Sequence, residues 1–268
     1  MDLKKFEQCI ADIDKDILKK DEYTFFVLTR ILDGECTLTV TDGERLVICY
    51  SCAPYPVWVW TPDDVTEVEK ARTYDAVKEY FGFGKGFRFN MKYPLAEYFI
   101  KRAKDEGTTL GIFTNITSYA CEKPIAPTSK VKGSVKIAAE EDLEDVIAFI
   151  DVFHKDVGMD EENRESYRKK AEALIKSRGF FFWIDEKGEK VASCSRRDVD
   201  EKSTVGSVYT KPEKRRRGYA AALVYKVTEQ IFNEGKMPVL YADTDYAASN
   251  GCYIKIGYRL KGTLCTIG

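Results

Sequence analysis

The sequence has a single histidine, His154, among 268 residues. Its eight cysteines are irregularly spaced, and Cys49 and Cys52 form the one Cys-x-x-Cys pair. A structural zinc site needs four ligands, but no second cysteine pair follows and His154 lies far along the chain. The pair also lies in a strand-like pattern rather than at the helix start that is typical of thioredoxin-like redox motifs. We therefore expect core thiols at Cys49 and Cys52 and no bound metal.

Net charge and long apolar runs are also lacking. The 42 basic and 44 acidic residues give a formal net charge of −2, which argues against a dedicated nucleic-acid binder. No apolar run is long enough to span a bilayer, and Met1 to Lys5 do not have the pattern of a secretory leader. We therefore expect a cytoplasmic protein with reduced thiols that does not engage membranes or nucleic acids.

The length and composition predict two folded domains. A chain of 268 residues with 44% hydrophobic and 32% charged residues is typical of a globular protein larger than one ordinary domain. The segment from Cys121 to Lys130 contains two prolines and several polar residues, which interrupt any periodic pattern. It predicts a boundary between an N-terminal α/β domain, residues 1–130, and a C-terminal domain, residues 131–268.

The first half mixes strand-like and helix-like patterns. Thr61-Pro62-Asp63-Asp64 predicts a helix start, because threonine can cap, proline suits the first turn and carboxylates meet the positive helix end. Asp42-Gly43 predicts a hairpin turn, and the glycine-rich segment from Phe83 to Phe87 predicts a turn rather than a phosphate loop. The predicted helices are Phe6–Leu18, Thr61–Tyr80 and Pro94–Gly107; the predicted strands are Tyr23–Leu32, Cys36–Val40, Arg45–Cys52, Val57–Trp60 and Thr108–Ile116.

Aromatic residues are concentrated in this half. They are typical of a hydrophobic core, and the alternative is that they line a substrate pocket. The cluster consists of Tyr55, Trp58, Trp60, Phe81, Phe83, Phe87 and Phe89.

The second half has a regular order of elements. A run of carboxylates from Glu140 to Asp145 predicts a helix start, because negative side chains favour the positive helix end. The predicted strands are Ser134–Ala138, Phe180–Ile184, Lys190–Arg196, Ser203–Tyr209, Pro238–Ala242 and Tyr258–Ile267; the predicted helices are Glu140–Phe153, Glu161–Ser177, an amphipathic helix that follows Ala220 and ends near Gly235, and Ala247–Ile256.

A basic segment, Lys211 to Ala220, separates the Val205–Tyr209 strand pattern from the helix that follows. Gly218 allows the backbone to approach a bound group closely, because glycine has no Cβ. The first turn of the helix has N–H groups without intrahelical acceptors and carries the positive end of the macrodipole. The segment therefore predicts a site for an anion such as a pyrophosphate. A solvated basic face and a weak nucleic-acid patch are the alternatives.

Two motifs in this half resemble those of the GNAT superfamily of acyl-CoA-dependent N-acetyltransferases. Its Arg/Gln-x-x-Gly-x-Gly/Ala signature corresponds to the segment from Arg215 to Ala220, and a second block corresponds to Asp243–Tyr253 followed by Ile256-Gly257-Tyr258. The resemblance is strong over residues 134–268. It implies an α/β (α+β) fold with a mixed central sheet flanked by helices. The first half is then interpreted as a degenerate copy, which would give two such domains in tandem.

The resemblance also implies an activity, transfer of an acetyl group from acetyl-CoA to a primary amine by direct attack. Tyr253 would be the general acid for the leaving thiolate, since a phenol, with an ordinary pKa of about 10, stays protonated at neutral pH. Half-buried packing is the alternative role for Tyr253, and capping of the last helix is the alternative for Ser249 and Asn250. Tyr246 stands where the family often has asparagine, which puts one cofactor contact in doubt. The implied cofactor-binding residues are Val208, Tyr209, Thr210, Arg215, Arg216, Arg217, Gly218, Tyr219, Ala220, Ser249 and Asn250.

Several questions stay open at this stage. The sequence does not identify the general base, and a lone histidine such as His154 is more often structural than catalytic. The acceptor is a small-molecule or peptide amine of unidentified structure, and the oligomeric state, including a homodimer, is not determined. The main alternative function is a non-catalytic acyl-CoA-binding sensor or interaction module, which would bind the cofactor and transfer nothing.

Overall fold

The computed structural model describes residues 3–6, 13–158 and 162–268. The chain divides into two compact units, each built from more than one stretch of sequence. Unit 1 contains residues 1–118, 242–246 and 261–268, and unit 2 contains residues 119–241 and 247–260. The division of the sequence into domains at residues 1–130 and 131–268 remains a prediction.

Unit 1 has a sheet covered by helices. The elements that begin in it are β1 (Lys4–Phe6), α1 (Phe26–Arg30), β2 (Leu38–Thr41), β3 (Val47–Tyr50), β4 (Val57–Trp60), α2 (Glu67–Tyr80), β5 (Phe89–Met91), α3 (Tyr93–Asp105) and β6 (Ile112–Ala120). A 3₁₀ turn, Lys15–Asp21, precedes α1. Strands β1 to β4 pair antiparallel in chain order. Strand β5 pairs antiparallel with Cys265–Ile267 near the end of the chain.

Strands β4 and β5 form a parallel pair of only two residues each. Val57 pairs with Phe89 and Trp58 pairs with Asn90, and the pairing stops before β4 ends at Trp60. The carboxyl ends of the two strands therefore separate. In sheets of this kind a gap between the carboxyl ends of parallel strands is the usual place for a ligand.

The core of unit 1 lies between the sheet and the two longer helices. Phe99 and Tyr74 are fully buried, and their rings meet edge-to-face at 5.2 Å. The Tyr74 hydroxyl donates to Glu106 at 2.9 Å, and burial together with this carboxylate raises the pKa of Tyr74 to about 12. Most of the predicted aromatic cluster belongs to cores, as in the case of Phe89, while Tyr55 is 40% exposed.

Several sequence predictions in unit 1 are wrong or displaced. The segment Tyr23–Leu32 is not a strand but contains α1 and enters a π-helical turn at Ile31. Its apolar side chains are buried on more than one face, so they give no period that distinguishes helix from strand. Phe6 lies in β1 rather than in a helix, and residues 7–12 of that predicted helix lie outside the described residues.

Helix α2 begins later than the Thr61-Pro62 pattern predicts. Its N-cap is Thr66, whose hydroxyl accepts from the N–H of Glu69, while the Glu69 carboxylate accepts from the N–H of Thr66. This capping box satisfies two backbone donors at once, which explains why the helix starts here. The turn predictions at Asp42-Gly43 and Phe83–Phe87 are confirmed, because the described backbone has turns at both.

Unit 2 follows the order of elements that the sequence predicts. Its elements are β7 (Ser134–Ile137), α4 (Leu143–Asp156), α5 (Arg164–Lys176), β8 (Phe180–Ile184), β9 (Lys190–Val199), β10 (Lys202–Thr210), α6 (Tyr219–Asn233), β11 (Met237–Asp243), α7 (Ala247–Ile256) and β12 (Arg259–Ile267), of which β11 and β12 continue into residues of unit 1. Strands β7 to β10 pair antiparallel in chain order. Strand β11 pairs parallel with β10.

Strand β10 changes partner along its length. Lys202 to Thr204 pair with Met237 to Val239 of β11, and β10 then continues for six residues paired only with β9. Its register against β9 shifts between Gly206 and Tyr209, where Ser207 has a φ of 47°. This is a β-bulge, which bends a strand and increases its twist. The carboxyl-terminal half of β10 therefore diverges from β11.

The two units share one succession of elements. In both, three antiparallel strands lead into a helix, and the next strand pairs parallel with the last of the three. The predicted fold class is confirmed, since mixed sheets flanked by helices make up the molecule. The shared succession supports a tandem arrangement. Within the described part of the chain, no helix combines the length and apolar character that crossing a bilayer requires.

We expect Phe99→Ala to reduce the free energy of unfolding by about 3–5 kcal/mol, because it leaves a cavity beside Tyr74 in a core that is fully buried. Urea denaturation followed by tryptophan fluorescence measures the change. The matched control is Val68→Ala on α2, which is 79% exposed and should change stability by less than about 0.5 kcal/mol. Equal effects of the two substitutions would contradict this description of the core.

Candidate functional site

The predicted anion loop of unit 2 adopts an unusual backbone path. A 3₁₀ turn, Pro212–Lys214, leads to Arg216 with a φ of 63° and to Gly218 with a φ of 84°. Gly218 is the N-cap of α6. A Cβ at this position would lie 2.9 Å from Val131 Cγ2, and its φ falls in the left-handed region that favours glycine. The loop shape therefore requires the glycine of the motif.

The loop presents a row of backbone donors. Within the described residues, the N–H groups from Arg216 to Ala221 have no hydrogen-bond acceptor, and the first backbone bond into α6 runs from Ala222 N–H to Gly218 O at 3.0 Å. Helix α6 also has no side-chain cap at its start. Six successive donors at the positive end of a 15-residue helix suit an oxyanion such as a pyrophosphate.

The five basic side chains of this loop divide into two groups. The Arg215 guanidinium donates to both carboxylate oxygens of Asp156, at 2.9 and 3.0 Å, and to the Thr210 carbonyl at 3.1 Å. In contrast, Arg216 and Arg217 are exposed and make no ion pair with the described residues. Arg215 therefore holds the loop in position, whereas the side chains of Arg216 and Arg217 remain available to an anion.

The two lysines of the loop are bound to a neighbouring hairpin. Lys211 donates to Glu189 at 2.9 Å, and Lys214 bonds to Glu189 at 2.6 Å and to Asp185 at 3.1 Å. The carboxylates of Glu189 and Asp185 raise the pKa of Lys214. These pairs neutralise most of the charge that makes the segment look like a nucleic-acid patch in the sequence.

The end of β10 offers backbone groups to a ligand. The Lys211 N–H donates to Val191 O of the β8–β9 hairpin at 3.1 Å. Because backbone N–H groups point to alternate sides along a strand, the N–H of Thr210 points away from β9. The Thr210 hydroxyl is buried without a hydrogen-bond partner. The Tyr209 side chain instead packs into the core against Phe149, with ring centroids 5.8 Å apart, and burial raises its pKa. Tyr209 therefore presents only its backbone.

Tyr253 lies on α7 within a group of three tyrosines. Its ring is 7% exposed, and its centroid lies 6.5 Å from that of Tyr119 and 6.1 Å from that of Tyr258. The Tyr258 hydroxyl shares a 2.8 Å hydrogen bond with Thr228, and burial raises the pKa of Tyr258 well above its ordinary value. The Tyr253 ring is thus held in place by neighbouring rings, and its role as a proton donor stays a prediction.

Asn250 takes part in the same group. The Tyr119 hydroxyl donates to Asn250 Oδ1 at 2.9 Å, and burial raises the pKa of Tyr119. Asn250 and Ser249 are both partly buried in the first turn of α7. Their roles as cofactor ligands stay predictions.

The lone histidine is part of the packing between α4 and α5. His154 is 7% exposed, its ring lies edge-on to Tyr167 at 5.3 Å, and its Nδ1 makes no hydrogen bond. Burial, with nearby Lys170, lowers the pKa of His154. Among the described residues, no group of three or more His, Cys, Asp or Glu side chains has the arrangement that holds a metal ion.

The thiols of the described residues are free, and most are buried. Burial raises the pKa values of Cys121 and Cys252 to about 11 each, so both stay protonated at neutral pH. A protonated thiol is a poor nucleophile. In the Cys-x-x-Cys pair, Cys49 is a core thiol as predicted, whereas Cys52 is exposed.

Some residues of the site were missed by sequence reasoning. Asp156 binds Arg215 across 59 positions of sequence, and Tyr119 binds Asn250 across 131. No motif contains these partners, because an isolated aspartate or tyrosine carries no signal of a distant contact. For Thr210, which the resemblance did point to, only the folded backbone shows that its hydroxyl lacks a partner.

Comparison with protein families gives one match. Residues 179–266 match the family described as FR47-like protein. The matched region runs from the start of β8 through the loop, α6, β11 and α7 into β12. No curated protein matches the sequence.

Solved structures match much more of the chain at low identity. An acetyltransferase of the GNAT family from Colwellia psychrerythraea is 11% identical, with a TM-score of 0.59 and coverage of 100% of this chain and 98% of that one. A GCN5-related N-acetyltransferase from Sphaerobacter thermophilus is 14% identical, with a TM-score of 0.67 and coverage of 99% and 94%. One from Kribbella flavida is 16% identical, with a TM-score of 0.58 and coverage of 83% and 86%. The chain therefore has the fold of the GCN5-related N-acetyltransferases, as the motif from Arg215 to Ala220 indicated, and its C-terminal part is similar to the FR47-like family.

Proposed function

We propose that the protein is an acyl-CoA N-acyltransferase that transfers an acetyl group from acetyl-CoA to a primary amine. The observation that carries the proposal is the row of backbone N–H groups from Arg216 to Ala221 at the start of α6, beside the unpaired end of β10. Together they provide an oxyanion site followed by an extended edge, as a diphosphate with a long amide-bearing arm requires.

The residues present fit this cosubstrate. The backbone donors and the exposed Arg216 and Arg217 would hold its diphosphate, and Gly218 permits the left-handed backbone conformation of the loop that presents these donors. Backbone groups at Val208 and Thr210 would bind the arm, and the buried Thr210 hydroxyl would gain a partner. Acetyl-CoA, when bound, would supply a thioester carbonyl for attack by the acceptor nitrogen.

The protein would then assist a direct transfer. As the new C–N bond forms and the C–S bond breaks, the Tyr253 hydroxyl would donate its proton to the leaving sulfur. An N–H donor on the unpaired side of β10 would stabilise the oxyanion. The protonated states of Cys121 and Cys252 favour this route over one through an acylated thiol. His154 is buried between helices, so the proton lost by the amine would leave through water.

The acceptor remains a small-molecule or peptide amine, and we propose that the reaction takes place in the cytoplasm. The rival is a sensor that binds acyl-CoA without turnover. Transfer assays over a panel of amines separate the two, since only the enzyme releases free coenzyme A in proportion to acylated amine.

We expect Arg216→Glu combined with Gly218→Asp to abolish coenzyme A binding, because the two changes add negative charge to the anion site and a Cβ at position 218 would lie 2.9 Å from Val131 Cγ2 and distort the loop. Isothermal titration calorimetry measures the affinity. Arg164→Glu, at an exposed position of α5, is the control and should leave binding unchanged. Undiminished affinity in the double variant would remove the cofactor-site assignment.

We expect Thr210→Val to raise the free energy of unfolding by about 1 kcal/mol while weakening coenzyme A binding, since it removes a buried hydroxyl that has no partner until ligand binds. Thermal denaturation and calorimetry report the two effects. Thr210→Ser keeps the hydroxyl and should stay near the parent protein in binding. A loss of stability in Thr210→Val would show that the hydroxyl already has a partner in solution.

We expect Tyr253→Phe to lower kcat about 10²–10⁴-fold with little change in KM, because proton donation acts on the transition state rather than on substrate binding. Steady-state kinetics with a competent amine measures both constants. The control is Tyr225→Phe on α6, whose hydroxyl bonds to Glu229 in the same helix. If turnover in Tyr253→Phe equals that of the control, Tyr253 is a packing residue.

A further inference from the structure

Helix α4 contacts both the end of β10 and the loop that follows it. The ring of Phe149 on α4 meets the Tyr209 ring edge-to-face, with centroids 5.8 Å apart. Near the end of the same helix, the Asp156 carboxylate accepts from the guanidinium of Arg215 in the loop. Positions seven apart lie on the same face of a helix, so one face of α4 holds both the strand and the loop.

The Arg215 side chain connects three parts of unit 2. One guanidinium nitrogen donates to both carboxylate oxygens of Asp156, at 2.9 and 3.0 Å, and Nε donates to the Thr210 carbonyl at 3.1 Å. The central guanidinium carbon lies 5.7 Å from the centre of the Tyr209 ring. Arg215 therefore fastens the last residue of β10 to the loop and the loop to α4, and Asp156 is the carboxylate that holds it.

The position of Asp156 is unfavourable for a carboxylate by local rules. Asp156 is the last residue of α4, where the negative end of the helix macrodipole disfavours a negative side chain. Aspartate is also a weak helix former. The contact that compensates for both is the bond to Arg215. Since the two side chains are 42% and 36% exposed, the pair contributes little to the stability of the fold.

The loop needs an anchor at this point because the next residue is strained. Arg216 has a φ of 63°, a left-handed conformation that costs free energy for a residue with a Cβ. Such a conformation persists only where the surrounding structure fixes it. Arg215 fixes the chain immediately before Arg216, and the bond from Ala222 N–H to Gly218 O fixes it at the start of α6. Loss of the first anchor would let the loop relax away from its present shape.

Asp156 has two opposing effects on an anion bound in the loop. Its charge neutralises Arg215, so its removal would free a cation close to the anion and strengthen the attraction. Its bond also fixes Arg215, so its removal would make the anion pay for ordering the loop. The first effect acts between exposed charges, which salt screens. The second acts on all the backbone donors of the loop together, so positioning is the stronger effect.

We propose that Asp156 is a positioning residue for coenzyme A binding, which acts through Arg215 to hold the loop in the shape that receives the diphosphate. The inference rests on the proposed function, because coenzyme A is the ligand whose diphosphate this loop would bind. Asp156 touches neither the cosubstrate nor the reacting atoms in this arrangement.

The test is a double-mutant cycle, measured by isothermal titration calorimetry with coenzyme A on the full chain. Asp156→Ala should weaken binding about tenfold in the parent protein but less than about twofold in an Arg215→Ala background, because the anchor is already lost there. Asp156→Glu keeps the charge and should restore the affinity to within about threefold of the parent value. A residue that supported only the fold would lose the same affinity in both backgrounds.

The matched control is Asp151→Ala on the same helix. Asp151 pairs with Lys155 one turn further along α4 at 2.9 Å, so the substitution removes an ion pair of the same kind without touching the loop. Its coenzyme A affinity should equal that of the parent protein. Thermal denaturation of each variant confirms that it is folded.

Three outcomes in a parent protein that binds coenzyme A would overturn the inference and leave the proposed function standing. They are equal or tighter binding by Asp156→Ala, an equal loss of affinity in the Arg215→Ala background, and a loss in Asp151→Ala as large as that in Asp156→Ala. If the parent protein itself does not bind coenzyme A, the proposed function and this inference are both wrong.

Discussion

The divergence of two parallel strands is the constraint on which the proposed chemistry of unit 2 depends. Strand β10 pairs with β11 for three residues, passes through a bulge at Ser207, and then remains paired only with β9. Because β9 still holds it, the free edge of β10 is fixed in space while its outward N–H and C=O groups lack a strand partner. A preorganised edge of this kind binds an extended ligand at low entropic cost, because little of the protein has to be ordered on binding.

The ion pairs around the loop leave only two of its five basic side chains, Arg216 and Arg217, exposed and without an ion pair to the described residues. Lys211, Lys214 and Arg215 are each engaged with carboxylates from other elements, so they fix the loop rather than attract anions. The local field comes instead from backbone dipoles at the start of α6 and from Arg216 and Arg217. Charges that are already paired add little to long-range attraction, which agrees with a compact anion site better than with a broad nucleic-acid surface.

Unit 1 shows that the same backbone arrangement can carry different chemistry. It also has a parallel strand pair that opens, followed by helices, but the helix after its loop is capped by its own Thr66 and Glu69. The capping box binds backbone N–H groups at the start of α2, whereas the corresponding N–H groups at the start of α6 have no acceptor among the described residues. The gap between β4 and β5 is lined by Lys92, which is paired with Asp21 and Asp63. The hypothesis of a degenerate copy thus has a structural basis: the gap between the two parallel strands is present in both units, whereas the open backbone donors at the helix start are present only in unit 2 among the described residues.

The sequence determined the local parts of this protein. Periodicity and caps predicted nearly every element of unit 2, and the residues from Arg215 to Ala220 predicted a tight turn between a strand and a helix, because both depend on neighbours in the chain. Apolar runs without a period were misread, as for Tyr23–Leu32, since burial on several faces removes the signal that separates helix from strand. Tertiary structure alone decided which arginine is bound by Asp156, which hydroxyls lack partners, and where a cavity opens between strands. These features depend on side chains that lie tens of positions apart, and the contact that brings such residues together is fixed by packing rather than by any local pattern.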